Sequence, residues 1–99
     1  ALASGCTIVL KPSSQTCLAS LHYGEIAKRI GLPDGVLNIV VGKASEVGRA
    51  LNQSKIPSMI TLIGSSDTGV QVMKEGSTSI KNYSLELGGN APVIIMHDC

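Results

Sequence analysis

Apolar residues occur along the chain in short continuous runs, separated by segments in which apolar residues recur every three or four positions. Four of these runs predict strands, over residues 7–10, 36–41, 59–63 and 92–96, and residues 82–87 predict a further strand. A strand that is covered on both faces reads as a continuous apolar run, whereas a strand with one wet face alternates. The pattern therefore indicates a parallel sheet that is buried on both sides.

The segments between the runs predict helices. The first follows polar residues 13–16 and has apolar residues at helical spacing: Leu18, Leu21, Ile26 and Ile30. Gly31 is expected to end it, and residues 44–52 and 70–75 predict two shorter helices. Strands that alternate with helices predict an α/β fold, a Rossmann-like open parallel sheet with helices on both faces. Because the first and last strands are apolar, we expect residues 1–99 to be the central part of a larger domain, truncated at both ends.

Composition excludes several classes of protein. With 43% hydrophobic and 15% charged residues, the chain is not a disordered charged tail. Its net charge of +1 does not indicate a nucleic acid or an anionic membrane as partner. Neither a membrane-spanning run nor a secretory signal is recognisable. Cys6, Cys17 and Cys99 form no even framework and no metal pair, so we expect reduced thiols, no metal and a cytoplasmic location.

Residues 64–69, GSSDTG, stand between a predicted strand and a predicted helix. Backbone amides and the helix dipole favour a phosphate at such a place. The segment is not a P-loop, because Val70 and Gln71 stand where that motif needs Lys and Ser or Thr. It is not GxGxxG either, because Ser66 replaces the middle glycine. Phosphate binding and an ordinary strand-to-helix turn both fit this segment.

Lys11 and Glu86 each close a predicted strand, at the edge where open parallel sheets bind ligands. Lys11 could contact a ribose hydroxyl or a phosphate, and a merely solvated lysine fits the same position. Glu86, between Leu85 and Leu87, would be partly desolvated there and could act as a general base. A carboxylate that only caps a neighbouring amide fits this position as well.

Taken together and in order, four segments resemble the aldehyde dehydrogenase superfamily: residues 5–16 (GCTIVLKPSSQT), 31–40 (GLPDGVLNIV), 63–69 (IGSSDTG) and 83–92 (YSLELGGNAP). The resemblance covers the whole chain without a gap. It implies the oxidation of an aldehyde to a carboxylic acid with NAD(P)⁺, through a thioester formed on a cysteine. In that family the nucleophilic cysteine lies beyond the glutamate segment, which places it outside this chain.

The resemblance also assigns roles to individual residues. Glu86 matches the general base that activates water for hydrolysis of the thioester. The residues matching cofactor positions are Lys11 at the adenosine ribose, Gly42 and Gly48 beside the helix under the adenine, Gly64 and Ser65 at the diphosphate, and Leu87 and Gly88 at the nicotinamide side.

Ser14 departs from the pattern of many NAD-preferring members, which carry a glutamate at this position. A glutamate accepts from the ribose 2′-hydroxyl and repels a 2′-phosphate, whereas a serine can donate to the phosphate. Ser14 therefore favours NADP, with NAD or dual use as the alternative. Ile63 is a second departure, standing where a threonine is common.

The segments are most similar to those of succinate-semialdehyde dehydrogenases, and lactaldehyde or glycolaldehyde dehydrogenases are the alternatives. The implied partners are a small-molecule aldehyde and further copies of the parent enzyme, in a dimer or tetramer. A non-catalytic nucleotide-binding module is the alternative from another class. The intact glutamate segment speaks against that alternative, because a module that only binds has no need of a general base.

Overall fold

The computed structural model describes residues 1–99, which divide into two compact units, Ala1–Leu51 and Asn52–Cys99. A short 3₁₀ helix, Leu2–Ser4, opens the chain. It is followed by β1 (Ile8–Leu10), α1 (Cys17–Arg29), β2 (Leu37–Ile39), a π-helical turn (Ala44–Gly48), α2 (Arg49–Gln53), β3 (Met59–Ile63), α3 (Ser66–Gly76) and β4 (Asn82–Glu86). Parallel strands joined through helices confirm the predicted α/β class.

In the first unit, β1 and β2 pair in parallel with Ile8 opposite Leu37. Helix α1 connects them and ends where the sequence predicts, because Gly31 adopts φ +70°, a conformation that side chains disfavour. The following amide, that of Leu32, donates back to the carbonyl of Ala27 over 2.9 Å and closes the helix end. This connection carries the chain from the carboxyl end of β1 back to the amino end of the strand pair, where the parallel β2 begins.

In the second unit, β3 and β4 pair in parallel from Met59 opposite Asn82 to Ile63 opposite Glu86. The connecting helix α3 begins at Ser66, four residues earlier than predicted. The reason is an N-cap, since the hydroxyl of Ser65 accepts a hydrogen bond from the amide of Thr68 over 3.2 Å. Polar residues in the first turn of a helix lack apolar periodicity, so the pattern alone missed this turn.

The prediction of a fifth strand over residues 92–96 is wrong. This segment has no regular secondary structure and pairs with no strand, and Val93, Ile94 and Ile95 are 80–85% exposed. A parallel neighbour needs a crossover of about a dozen residues or more. The connection over residues 87–91 is too short to bring the chain back alongside β4.

None of the helices combines the length and the apolar composition that crossing a membrane requires.

Asn52 is one of the few buried polar residues, at 9% exposure. Its side-chain amide donates to a carboxylate oxygen of Glu75 over 2.8 Å, and Gln71 donates to the other oxygen over 3.0 Å.

A carboxylate at position 52 would remove the donor and face Glu75 with a like charge. We expect Asn52→Asp to lower the free energy of unfolding by about 1–3 kcal/mol. Thermal unfolding measures this loss of stability. Gln53→Glu is the control, because it adds the same charge at an exposed neighbouring position. Equal midpoints for the two variants would contradict the role of Asn52.

Candidate functional site

Lys11 and Ser14 follow the carboxyl end of β1. The ammonium of Lys11 donates to the carbonyl of Pro12 over 2.9 Å, and its aliphatic stem lies against the backbone of Gly48. Ser14 lies in an exposed turn, in which the amide of Thr16 donates to the carbonyl of Ser13 over 3.3 Å. The stem of Lys11 thus lies near Gly48, and its charged end and the Ser14 hydroxyl can turn to a ligand.

Gly42 lies two residues before the π-helical turn, and Gly48 is the last residue of that turn, directly before α2. A β-carbon at Gly42 would come within 2.5 Å of a methyl carbon of Val47, so the turn packs directly onto the glycine backbone. A β-carbon at Gly48 would lie 3.9 Å from the stem carbons of Lys11, which is an ordinary contact. Within this unit, Gly42 is required by packing and Gly48 brings the Lys11 stem close. Single π-helical turns occur often at functional sites.

Gly64 and Ser65 follow β3 at the start of α3. The hydroxyl of Ser65 caps the helix and shares a second hydrogen bond, 2.9 Å long, with the hydroxyl of Thr68. The amides of Ser66 and Asp67 have no partner within the helix, as expected for a first turn. Sequence reasoning assigned no role to Thr68, although a hydroxyl residue three positions after an N-cap serine is a readable signal for such a pair.

Glu86 is the last residue of β4 and lies beside Gly64, the first residue after β3. Its carbonyl accepts a hydrogen bond from the amide of Gly64 over 3.0 Å, so the two segments are joined at this point. The carboxylate has no hydrogen-bond or ion-pair partner. The expectation of a partly desolvated carboxylate is wrong for these residues, because Glu86 is exposed in this chain. Leu87 packs against α3 instead of against Glu86.

Leu87 and Gly88 continue from Glu86. The side chain of Leu87 lies on the backbone of Gly69 in α3 and is 37% exposed. A β-carbon at Gly88 would meet no atom within 4 Å. The structure therefore brings together Gly64, Ser65, Glu86 and Leu87 in the second unit, and Lys11 with Gly48 in the first.

The chemistry of both groups suits a dinucleotide. An exposed helix N-terminus with two unpaired amides and two hydroxyl groups is a favourable environment for a diphosphate. A lysine at the carboxyl end of a parallel strand, next to an exposed serine, suits a ribose and its phosphate. Residues 1–99 thus fit NAD(P) at both places, each considered in its own unit.

Comparison with known proteins agrees with this chemistry. The model of the aldehyde dehydrogenase family matches residues 1–99. The glutarate-semialdehyde dehydrogenase of Pseudomonas aeruginosa is 50% identical over 98 residues, which are 99% of this chain and 20% of that protein. The NADP⁺-dependent succinate-semialdehyde dehydrogenase of Escherichia coli is 47% identical over the same length and with the same coverage. The chain spans about a fifth of the length of these relatives.

Solved structures give the same result. The crystal structure of an NADP-dependent enzyme of E. coli has a TM-score of 0.88 at 47% identity, covering 92% of this chain and 19% of that one. Betaine aldehyde dehydrogenase of Staphylococcus aureus, in complex with NAD⁺, has a TM-score of 0.85 at 36% identity, covering 89% of this chain and 18% of that one. Sequence and fold lead to one conclusion: the chain belongs to the aldehyde dehydrogenase family.

Proposed function

We propose that the protein oxidises an aldehyde to a carboxylic acid with NAD(P)⁺. In this proposal, residues 1–99 supply the central part of the cofactor-binding domain together with the general base, Glu86. The observation that carries it is the junction of β3 and β4, where the amide of Gly64 binds the carbonyl of Glu86 beside the capped start of α3. This backbone junction supports the proposal, because it joins the residue proposed as the general base to the segment proposed to bind the diphosphate.

In the proposed reaction, a cysteine thiolate outside residues 1–99 adds to the aldehyde carbon. NAD(P)⁺, when bound, accepts the hydride that leaves that carbon, and a thioester remains. Glu86 then takes a proton from water while the water oxygen attacks the thioester carbon, and the thiolate leaves as the acid is released. An exposed carboxylate without a partner is able to turn towards such a water.

Lys11, Ser14, Gly42 and Gly48 would hold the adenosine end of the cofactor, and Gly64 and Ser65 its diphosphate. Leu87 and Gly88 would border the nicotinamide. The open space around Gly88 supports this role, because a ring can approach the backbone there. We propose NADP as the preferred cofactor, on the grounds that Ser14 carries no charge that would repel a 2′-phosphate.

For the substrate we propose a semialdehyde, with succinate semialdehyde first and lactaldehyde or glycolaldehyde as alternatives. The names of the relatives from P. aeruginosa and E. coli support the semialdehyde class. The enzyme would work as a homo-oligomer, a dimer or tetramer. Three unpaired cysteines suit a reducing compartment, and we propose the cytoplasm.

The experiment that tests the proposal is a substrate panel on the full-length protein. Formation of NADPH or NADH is followed by absorbance with succinate and glutarate semialdehydes, lactaldehyde, glycolaldehyde and betaine aldehyde. We expect the highest kcat/KM with a semialdehyde and NADP⁺. Residues 1–99 alone serve as the control and should show no turnover, because the nucleophile is missing. Nucleotide binding without oxidation of any aldehyde by the full-length protein would favour a non-catalytic module instead.

A further inference from the structure

The face of α3 that lies against β4 carries a glycine near each end. Gly69 and Gly76 are both buried, with the buried Val72 between them, and their spacing of three and four residues places all three on one side of the helix. A side chain from β4, or from the residue that follows it, packs against each glycine. The side chain of Leu87 lies on Gly69, and the hydroxyl of Tyr83 lies on Gly76. Strand side chains therefore pack directly onto the helix backbone at two points.

The contact at Gly69 leaves no room for a side chain. A β-carbon there would lie 2.9 and 3.0 Å from the two terminal methyl carbons of Leu87 and 3.5 Å from its Cγ. Carbon atoms that are not bonded to each other do not approach so closely, so the side chain of Leu87, which is 37% exposed, has to shift. Any residue larger than glycine at position 69 must displace Leu87.

Leu87 directly follows Glu86, the residue that carries the proposed chemistry. Tyr83 and Leu87, four residues apart, both face α3, so the alternation of the strand continues through Leu87 and turns Glu86 to the opposite face. Two contacts thus fix the backbone at Glu86. One is its hydrogen bond from Gly64, 3.0 Å long, and the other is the contact of Leu87 with Gly69.

We propose that Gly69 is a positioning residue for Glu86: the bare helix backbone holds Leu87, and Leu87 holds the end of β4 at the place from which the carboxylate reaches its water. This inference rests on the proposed function. Gly69 itself touches no substrate, cofactor or reacting atom in the proposal. Its effect should be larger in the hydrolysis of the thioester, the step that uses Glu86, than in the earlier transfer of hydride.

The test is Gly69→Ala in the full-length enzyme, followed by rapid mixing with aldehyde and NADP⁺. We expect a burst of about one NADPH per active site, and then a steady rate lowered about 10-fold or more, since a misplacement of about 1 Å can cost up to a hundredfold. Gly76→Ala is the matched control. It disturbs the same helix face through Tyr83, at the end of β4 remote from Glu86, and should lower the thermal midpoint without changing the ratio of burst to steady rate.

A second measurement does not depend on activity. Thermal midpoints of Gly69→Ala, Leu87→Ala and the double variant form a cycle, and we expect strong non-additivity, because Leu87→Ala removes the collision that Gly69→Ala creates. Additive midpoints would overturn the contact. If Gly69→Ala alone does not accumulate as folded protein, the double variant decides: its recovery as folded protein supports the contact, because Leu87→Ala removes the collision, and its failure to accumulate overturns it.

The two hypotheses fail in different ways. If Gly69→Ala matches Gly76→Ala in both phases while Glu86→Gln blocks steady turnover, the positioning role is wrong and the proposed function stands. If the unaltered enzyme oxidises no aldehyde, the proposed function is wrong whatever Gly69 does.

Discussion

Glu86→Gln is expected to stop steady oxidation of aldehyde while leaving a single turnover intact. Glutamine keeps the size and the backbone of the residue, so the hydrogen bond from Gly64 to the carbonyl of residue 86 is preserved. What it removes is the proton acceptor. General-base catalysis contributes about 10²–10⁴-fold to a rate, and the steady rate should fall within that range. Rapid mixing should then show one equivalent of NADPH per site, followed by almost no further formation.

The burst distinguishes the proposed role of Glu86 from two other roles that this residue could have. A glutamate needed to activate the cysteine or to bind the nucleotide would lose the burst together with the steady rate. A glutamate that only caps an amide would lose neither, as long as the fold is intact. Glu46→Gln is the control, because it removes an exposed carboxylate, 70% accessible and 3.8 Å from the ammonium of Lys43, from a place without a proposed catalytic role. It should leave both phases unchanged.

The elements that the sequence predicted well are those whose signals are local. Helix α1 has apolar residues at helical spacing and a glycine with φ +70° directly after its cap, and both features can be read from the residues themselves. Strand β3 is a nearly continuous apolar run, and the predicted bounds of β3 and β4 differ from the observed ones by one residue at most. Local propensity and fold agree in these segments, which makes them readable.

The features that were missed depend on tertiary structure. The run over residues 92–96 has the composition of a strand, but a strand forms only where another strand offers an edge to it. The π-helical turn Ala44–Gly48 has no periodicity by which it could be told from an α-helix. The contacts of Gly69 with Leu87 and of Gly76 with Tyr83 join residues that lie 18 and 7 positions apart, and only the folded chain shows which side chain each glycine receives. The individual site residues were assigned through the family resemblance, because a lysine or glutamate at the end of a strand fits a purely structural role as well as a functional one.

The cofactor preference should change with a single charge at position 14. Ser14 is at the exposed tip of the turn after β1, three residues beyond Lys11, so a longer side chain meets no packing there. A carboxylate would accept from a ribose 2′-hydroxyl and repel a 2′-phosphate. Placing like charges side by side costs several kcal/mol, and each 1.4 kcal/mol corresponds to about a factor of ten. We therefore expect Ser14→Glu to lower the ratio of kcat/KM for NADP⁺ to that for NAD⁺ by about 100-fold or more.

Two further variants distinguish the charge from its position. Ser13→Glu adds the same carboxylate one residue earlier, where the native hydroxyl accepts a bond from the amide of Gln15 over 3.3 Å, and its effect on the ratio should be small. Ser14→Ala removes only the hydroxyl and should cost about 1.5–3 kcal/mol with NADP⁺, the value of one hydrogen bond to a charged group, and little with NAD⁺. The loss in Ser14→Glu should shrink as salt screens the repulsion, whereas the loss in Ser14→Ala should respond less to salt. An unchanged ratio in Ser14→Glu, or an equal change in Ser13→Glu, would show that the 2′-phosphate is not bound at Ser14, and the preference for NADP would have to come from other residues.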